Sequence, residues 1–104
     1  MLLEFYGLEC QICAKIAQLI EKLEKEEGIK IVQCEVWHNE ENAKMLESYD
    51  VGICGLVPFF INPENESFLC GEITYDELKN WAIKNTVKKS RKIAAKKGGN
   101  LVVE

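Results

Sequence analysis

The order of patterned segments predicts a single α/β domain built β-α-β-α-β-β-α, with a four-stranded mixed sheet flanked by helices and a basic C-terminal extension. Two observations carry this. The first three elements read as a βαβ unit, which implies parallel strands and a right-handed crossover. The later pair of strand runs is separated by a turn sequence, which implies a hairpin followed by a helix. The length, 104 residues, fits one small domain.

Each element has its own signal. Leu2, Leu3, Phe5 and Tyr6 form a short apolar run ending at Gly7, a buried strand. Between residues 10 and 27, Ile12, Cys13, Ile16, Ala17, Leu19, Ile20 and Leu23 recur at steps of three and four, so one helix face is buried. Gly28 is the expected stop. Ile29 to Trp37 is rich in β-branched residues, with Val32, Cys34 and Val36 at period two, a second strand. Asn39 caps a short helix from Glu40 to Tyr49. Residues 51–57 carry two glycines and run into Pro58, a loop. Phe59-Phe60-Ile61 and Ser67-Phe68-Leu69-Cys70 are the hairpin strands, joined through Asn62-Pro63-Glu64-Asn65. Thr74 or Asp76 caps a last helix with Leu78, Trp81 and Ala82 inward. Phe59, Phe60, Phe68 and Trp81 are expected in the core.

Composition narrows the function. The chain is 47% hydrophobic and 29% charged, which excludes disorder as the main state. No apolar run approaches the roughly 18 residues of a membrane-spanning helix. The first residues, Met-Leu-Leu-Glu-Phe-Tyr, lack the basic start of a secretory signal, so a cytoplasmic location is expected. The net charge of −4 conceals an acidic body and a basic end: seven of the 13 Lys/Arg, and one of the 17 Asp/Glu, fall in residues 84–104. The expected division is a domain over 1–84 and a basic tail over 85–104 that docks an acidic partner or simply stays solvated. The tail lacks the interleaved aromatics of a single-strand nucleic-acid binder.

Five cysteines cannot all pair within one chain, and without a signal sequence a full disulfide framework is not expected. Cys10-Gln11-Ile12-Cys13 lies where the first strand meets the first helix. Unpaired N–H groups and the helix dipole at that point favour a thiolate. The spacing lets the two sulfurs meet. Cys10 sits at the exposed end and Cys13 about one turn further in, which suits attack by Cys10 and resolution by Cys13. A structural pair and a metal site are the competing readings. Zinc takes a second ligand pair at similar spacing, whereas Cys34, Cys54 and Cys70 are isolated singles, so no metal site and no cofactor are expected.

On these residues the sequence resembles the thioredoxin-fold superfamily, in particular its small glutaredoxin-like and thioredoxin-like members. Phe5-Tyr6-Gly7 leads to Cys10-Gln11-Ile12-Cys13-Ala14-Lys15-Ile16-Ala17, then Val57-Pro58-Phe59-Phe60-Ile61-Asn62, then Cys70-Gly71-Glu72. The resemblance spans about residues 1–84. It implies a cis Pro58 beside the cysteines and a Val57 peptide group that holds an incoming substrate segment, with Gln11 and Ile12 beside it. The chain departs from the family at Gln11-Ile12, where proline is common, and at Glu9, a carboxylate that opposes a thiolate on Cys10. No lysine stands just upstream of Cys10, so glutathione is a less expected partner than a protein dithiol.

The remaining candidates have plainer readings beside sharper ones. Cys34 and Cys70 read as small buried hydrophobes. Cys54 reads as packing or as an accessory thiol near the active-site end. His38 follows the second strand, which puts Trp37 and His38 on the edge where ligands bind in open α/β sheets, and Trp37 is a candidate wall for a substrate groove. The expected activity is thiol–disulfide oxidoreduction of a protein disulfide, with an external dithiol as reductant. The alternative is an interaction module of the same fold with little or no turnover.

Overall fold

The computed structural model describes the backbone of residues 1–94 and the side chains of residues 1–86. Seven elements follow in order: β1 (Leu2–Tyr6), α1 (Gln11–Glu27), β2 (Ile31–Glu35), α2 (Glu40–Tyr49), β3 (Phe59–Asn62), β4 (Ser67–Cys70) and α3 (Tyr75–Ala94). The sheet order is β2-β1-β3-β4. β1 pairs with β2 in parallel, and the β1–β3 and β3–β4 pairs are antiparallel. The mixed sheet predicted from the βαβ unit and hairpin is the one observed.

Local chemistry sets the helix ends. Asn39 Oδ1 accepts the Asn42 N–H at 3.0 Å and starts α2. Thr74 Oγ1 accepts the Glu77 N–H at 3.2 Å while Glu77 Oε1 accepts the Thr74 N–H at 2.9 Å, a reciprocal capping box for α3. α1 stops at Gly28, whose φ of 68° is the left-handed conformation that a residue without Cβ adopts at little cost.

The sheet carries two apolar layers. On one face Leu2, Ile16, Ile20, Leu23, Phe60, Leu78 and Trp81 pack between the sheet, α1 and α3. On the other, Leu3, Phe5, Cys34, Val36, Phe59 and Ile61 lie under α2 and the loop before Pro58. α2 covers this second face thinly, with no fully buried residue of its own. Val32, expected inward with Cys34 and Val36, is therefore 41% exposed. Phe68 also departs from expectation. It lies on edge strand β4 and is 42% exposed, although its ring stays 6.0 Å from that of Phe59. Cys70 shares its strand parity and is likewise exposed, not a buried hydrophobe.

At the far end from the helix start of α1, Asn85 Oδ1 accepts N–H groups from Asn62 at 2.7 Å and Asn65 at 3.1 Å, and its amide donates to the Trp81 carbonyl at 2.7 Å. This ties the hairpin turn to α3. The position expected to start the tail, residue 85, lies within α3. Residues 95–104, including Leu101-Val102-Val103, lie outside the described residues. Among the described residues no helix is long and apolar enough to cross a membrane.

Candidate functional site

β1 delivers the chain to the head of α1, and the cysteines sit at that junction. Cys10 is the N-cap of α1, with extended backbone (φ −81°, ψ 113°). Its N–H donates to the Gly7 carbonyl at 3.1 Å, and its carbonyl accepts the Ala14 N–H at 3.1 Å. Its Sγ accepts the Cys13 N–H at 3.1 Å. The sulfur thus takes the place that a Ser or Asp side chain takes in an ordinary cap. Cys10 and Cys13 are joined as a disulfide with Cα atoms 5.2 Å apart. Cys13 is 3% exposed, whereas Cys10 is half-buried. Gln11 and Ile12 face solvent.

The electrostatics at Cys10 combine opposing effects. A hydrogen bond to a charged acceptor contributes roughly 1.5–3 kcal/mol, so the Cys13 N–H favours a thiolate on Cys10. The helix dipole adds roughly 0.3–1 kcal/mol. Glu9 acts against both, but its carboxylate is engaged by His38 Nε2 at 2.8 Å. The Glu9 hydrogen bond and charge raise the His38 pKa, so the pair is strongest when the imidazole is protonated. A solvent-screened carboxylate exerts only about 1 kcal/mol at 4 Å in water, less when paired. The helix-end interactions therefore dominate.

Glu35 fastens the two loops at this end. Its Oε2 accepts the Leu8 N–H at 2.9 Å and the Trp37 N–H at 3.2 Å, and its Oε1 accepts the His38 N–H at 2.8 Å. Desolvation is the largest single effect and pushes the Glu35 pKa up, but the three donors and the nearby His38 together outweigh it and hold the carboxyl below its ordinary value. Trp37 lies flat against Gly7, where an added Cβ would overlap the indole ring. Glycine is needed there for close approach, and Trp37 remains 52% exposed.

Beside Cys10 opens a cavity of about 650 Å³, lined by Val36, Trp37, Ala43, Leu46, Leu56 and Val57 with Glu47 and Asp50 among its polar residues. Its far wall is the loop before β3. Asp50 shapes that loop: Oδ1 accepts the Ile53 and Cys54 N–H groups at 3.0 and 2.7 Å, and Oδ2 accepts the Gly55 N–H at 2.7 Å. Partial desolvation works upward on the Asp50 pKa, but the three donors lower it overall. The Val57–Pro58 peptide bond is cis, Pro58 is fully buried, and Val57 lines the cavity with Cys10. The structure thus brings Cys10, Cys13, Val57 and Pro58 to one end of the sheet, with Gln11 and Ile12 on the outer surface.

Cys54 is not a free accessory thiol. It is disulfide-bonded to Cys70, with Cα atoms 5.7 Å apart, so four of the five cysteines are paired. Only Cys34 is free, and it is buried as expected. Burial and the nearby Glu4 carboxyl raise its pKa, which keeps it an unreactive thiol.

Glu4 is the site residue that pattern reading leaves out. It is 0% exposed in the middle of β1, on the face that Leu2 and Phe60 share with α1 and its buried Cys13. Gln33 Nε2 donates to Oε1 at 3.2 Å, and Oε2 has no partner. Burial pushes its pKa up to about 7, against the smaller lowering effect of Gln33. The signal was a lone carboxylate in an apolar strand. Among the described residues no group of three or more His, Cys, Asp or Glu is placed to hold a metal ion.

No family model matches the sequence, and no curated protein matches it. Among solved structures the chain is similar to thioredoxin 1 from the thermophilic eubacterium Thermosipho africanus. The superposition has a TM-score of 0.63 at 22% identity and covers 86% of this chain and 96% of that one. At that identity the likeness speaks to architecture. With the element order, the mixed sheet and the cysteine pair at the head of α1, it establishes that this chain has a thioredoxin-like fold carrying a Cys10–Cys13 CxxC pair.

Proposed function

We propose that the chain is a thiol–disulfide oxidoreductase that reduces or exchanges protein disulfides through Cys10 and Cys13. The observation that carries this reading is the asymmetry of the pair: Cys10 caps the helix within a cavity wall, whereas Cys13 is buried. In the reducing direction the Cys10 thiolate attacks one sulfur of a substrate disulfide, and the other leaves as a thiolate. Cys13, once deprotonated, attacks Cys10 Sγ. The second substrate sulfur leaves, and the Cys10–Cys13 disulfide remains. Two electrons have passed to the substrate, and an external dithiol returns them.

The deprotonation of Cys13 has an acceptor on its own side of the sheet. Glu4, with a pKa near 7 and an unpartnered oxygen, exchanges a proton at neutral pH. The Val57 peptide and the cavity beside Cys10 hold the substrate segment. The chain uses no metal or organic cofactor, and glutathione is a poorer partner than a protein dithiol. Its reducing direction suits the cytoplasm, and the basic extension over 85–104 offers a surface to an acidic partner.

A second reading is favoured by the exposed apolar residues around the cysteine pair, Ile12 in the first turn of α1 and Leu8, Trp37, Ile53 and Leu56 in the three neighbouring loops. They suit an interaction module that binds without turnover. Dithiothreitol-driven reduction of a model peptide disulfide separates the two. Wild type turns over, Cys10→Ser does not, and Cys13→Ser accumulates a mixed disulfide on Cys10. Wild-type turnover no faster than that of Cys10→Ser would leave the interaction module as the surviving reading.

A further inference from the structure

The Cys54–Cys70 disulfide has no place in the chemistry above, yet it lies at the same end of the sheet. Cys54 sits between Ile53 and Gly55, in the loop whose Gly55, Leu56 and Val57 wall the cavity shared with Cys10. Cys70 ends edge strand β4, in register with Phe59, the residue after Pro58. Two further contacts join these segments: the Gly71 N–H donates to the Pro58 carbonyl at 2.9 Å, and Leu56 Cδ1 lies against Gly71. The disulfide thus fastens the cavity wall to the edge of the sheet.

The two sulfurs differ in access. Cys54 is half-buried and packs against the layer containing Leu3, Phe5 and Phe59. Cys70 is exposed at the end of edge strand β4. Thiol exchange requires a nucleophile to reach a disulfide sulfur, with the partner sulfur leaving. Access therefore directs attack to Cys70.

We propose that Cys54–Cys70 is a second thiol–disulfide exchange site, opened by a low-molecular-weight monothiol at Cys70, and that its state sets the substrate affinity of the cavity. The monothiol thiolate forms a bond to Cys70 Sγ as the Cys54–Cys70 bond breaks. Cys54 leaves as a thiolate and takes a proton from water. A second monothiol thiolate attacks the sulfur of the adduct, forms the monothiol disulfide, and releases Cys70 as a thiolate that is protonated in turn. Two electrons pass from two monothiols to the pair. Once opened, the wall is held chiefly by the Asp50 carboxylate at residues 53–55 and by its anchorage at Pro58, because Val51, Ile53 and Leu56 are largely exposed and add little packing.

The exchange site stands independently of the role given to Cys10 and Cys13, whereas its effect on substrate affinity rests on that reading. The test has two arms for this reason. In the first, Cys10→Ser/Cys13→Ser protein is equilibrated in reduced and oxidised glutathione of defined ratio, alkylated, and mapped by mass spectrometry. Cys54 and Cys70 are expected to open together, with the glutathione adduct on Cys70. A pair that stays closed until the protein unfolds, a pair already open under oxidising buffer, or an adduct confined to Cys54 overturns the site. In the second arm, Cys54→Ser/Cys70→Ser protein is assayed for peptide-disulfide reduction, with amide exchange of residues 51–57 followed in parallel. A KM raised about three- to tenfold at similar kcat, with faster exchange confined to that loop, is expected. Unchanged KM and unchanged exchange contradict the control of affinity. If wild type shows no turnover, the oxidoreductase reading fails while the first arm still decides the exchange site.

Discussion

Replacing Glu4 with glutamine isolates the energetic cost of keeping a carboxylate inside the sheet. Burial moves the Glu4 pKa from 4.5 to about 7. Each unit corresponds to 1.36 kcal/mol, so the folded state disfavours the ionised form by roughly 3 kcal/mol. The sign follows from proton counting. Between about pH 4.5 and 7 the folded chain holds a proton that the unfolded chain has lost, so raising the pH favours unfolding. The stability tied to neutral Glu4 is complete below pH 4.5 and gone above pH 7. Glu4→Gln removes this titration. Its amide still accepts from Gln33 through the oxygen, and its buried N–H₂ lacks a partner as Oε2 does now, a pH-independent cost of roughly 1–3 kcal/mol.

The pH dependence therefore discriminates where the absolute stability does not. Urea unfolding with both disulfides intact, at pH 5 and pH 8, gives the two stabilities for each protein. The difference between Glu4→Gln and wild type should move in favour of the variant by roughly 2.5 kcal/mol across that range, because a small part of the effect is already present at pH 5. His38 adds a small fall of its own with rising pH, since its raised pKa comes from Glu9, but that change is common to both proteins and cancels. A parallel pH profile for the two proteins would show that Glu4 is already ionised at pH 5 or reaches solvent, and the proton-acceptor role would fall with it.

Other perturbations follow from single contacts. Gly7→Ala places a methyl in the Trp37 ring; it should cost roughly 1–3 kcal/mol and shift the Trp37 fluorescence as the indole leaves the cavity wall. Unfolding and emission spectra check both. Asn85→Ala leaves the buried Asn62 amide without its acceptor and should destabilise by roughly 2–3 kcal/mol in chemical denaturation, with the peptide-reductase KM unchanged. Asp50→Ala frees three loop N–H groups and should raise KM for a peptide disulfide several-fold while sparing kcat.

The parts of this fold that were legible in the sequence are those with local causes. Gly28 stops α1 and Asn39 starts α2 because each acts on backbone within a turn of itself. Cys10-Gln11-Ile12-Cys13 was legible for the same reason: its pairing needs only a helix start. Cys54 and Cys70 are 16 residues apart, and nothing between them announces that the loop before Pro58 folds over the end of β4. Phe68 follows the alternation of a buried strand, but its exposure follows from the place of β4 at the sheet edge, which is a tertiary fact. Glu4 stands visibly between Leu3 and Phe5. Its meaning emerges only when α1 seals that face and leaves one oxygen without a partner.

The most direct test of the central claim is the redox equilibrium of Cys10 with Cys13. Purified protein is equilibrated in dithiothreitol buffers of defined ratio, free thiols are trapped, and each cysteine is mapped by mass spectrometry. The account predicts that Cys10 and Cys13 titrate together as a reversible two-electron couple, near the roughly −270 mV of a thioredoxin-like reductase. If these two residues never pair while the fold remains intact, the dithiol mechanism is contradicted.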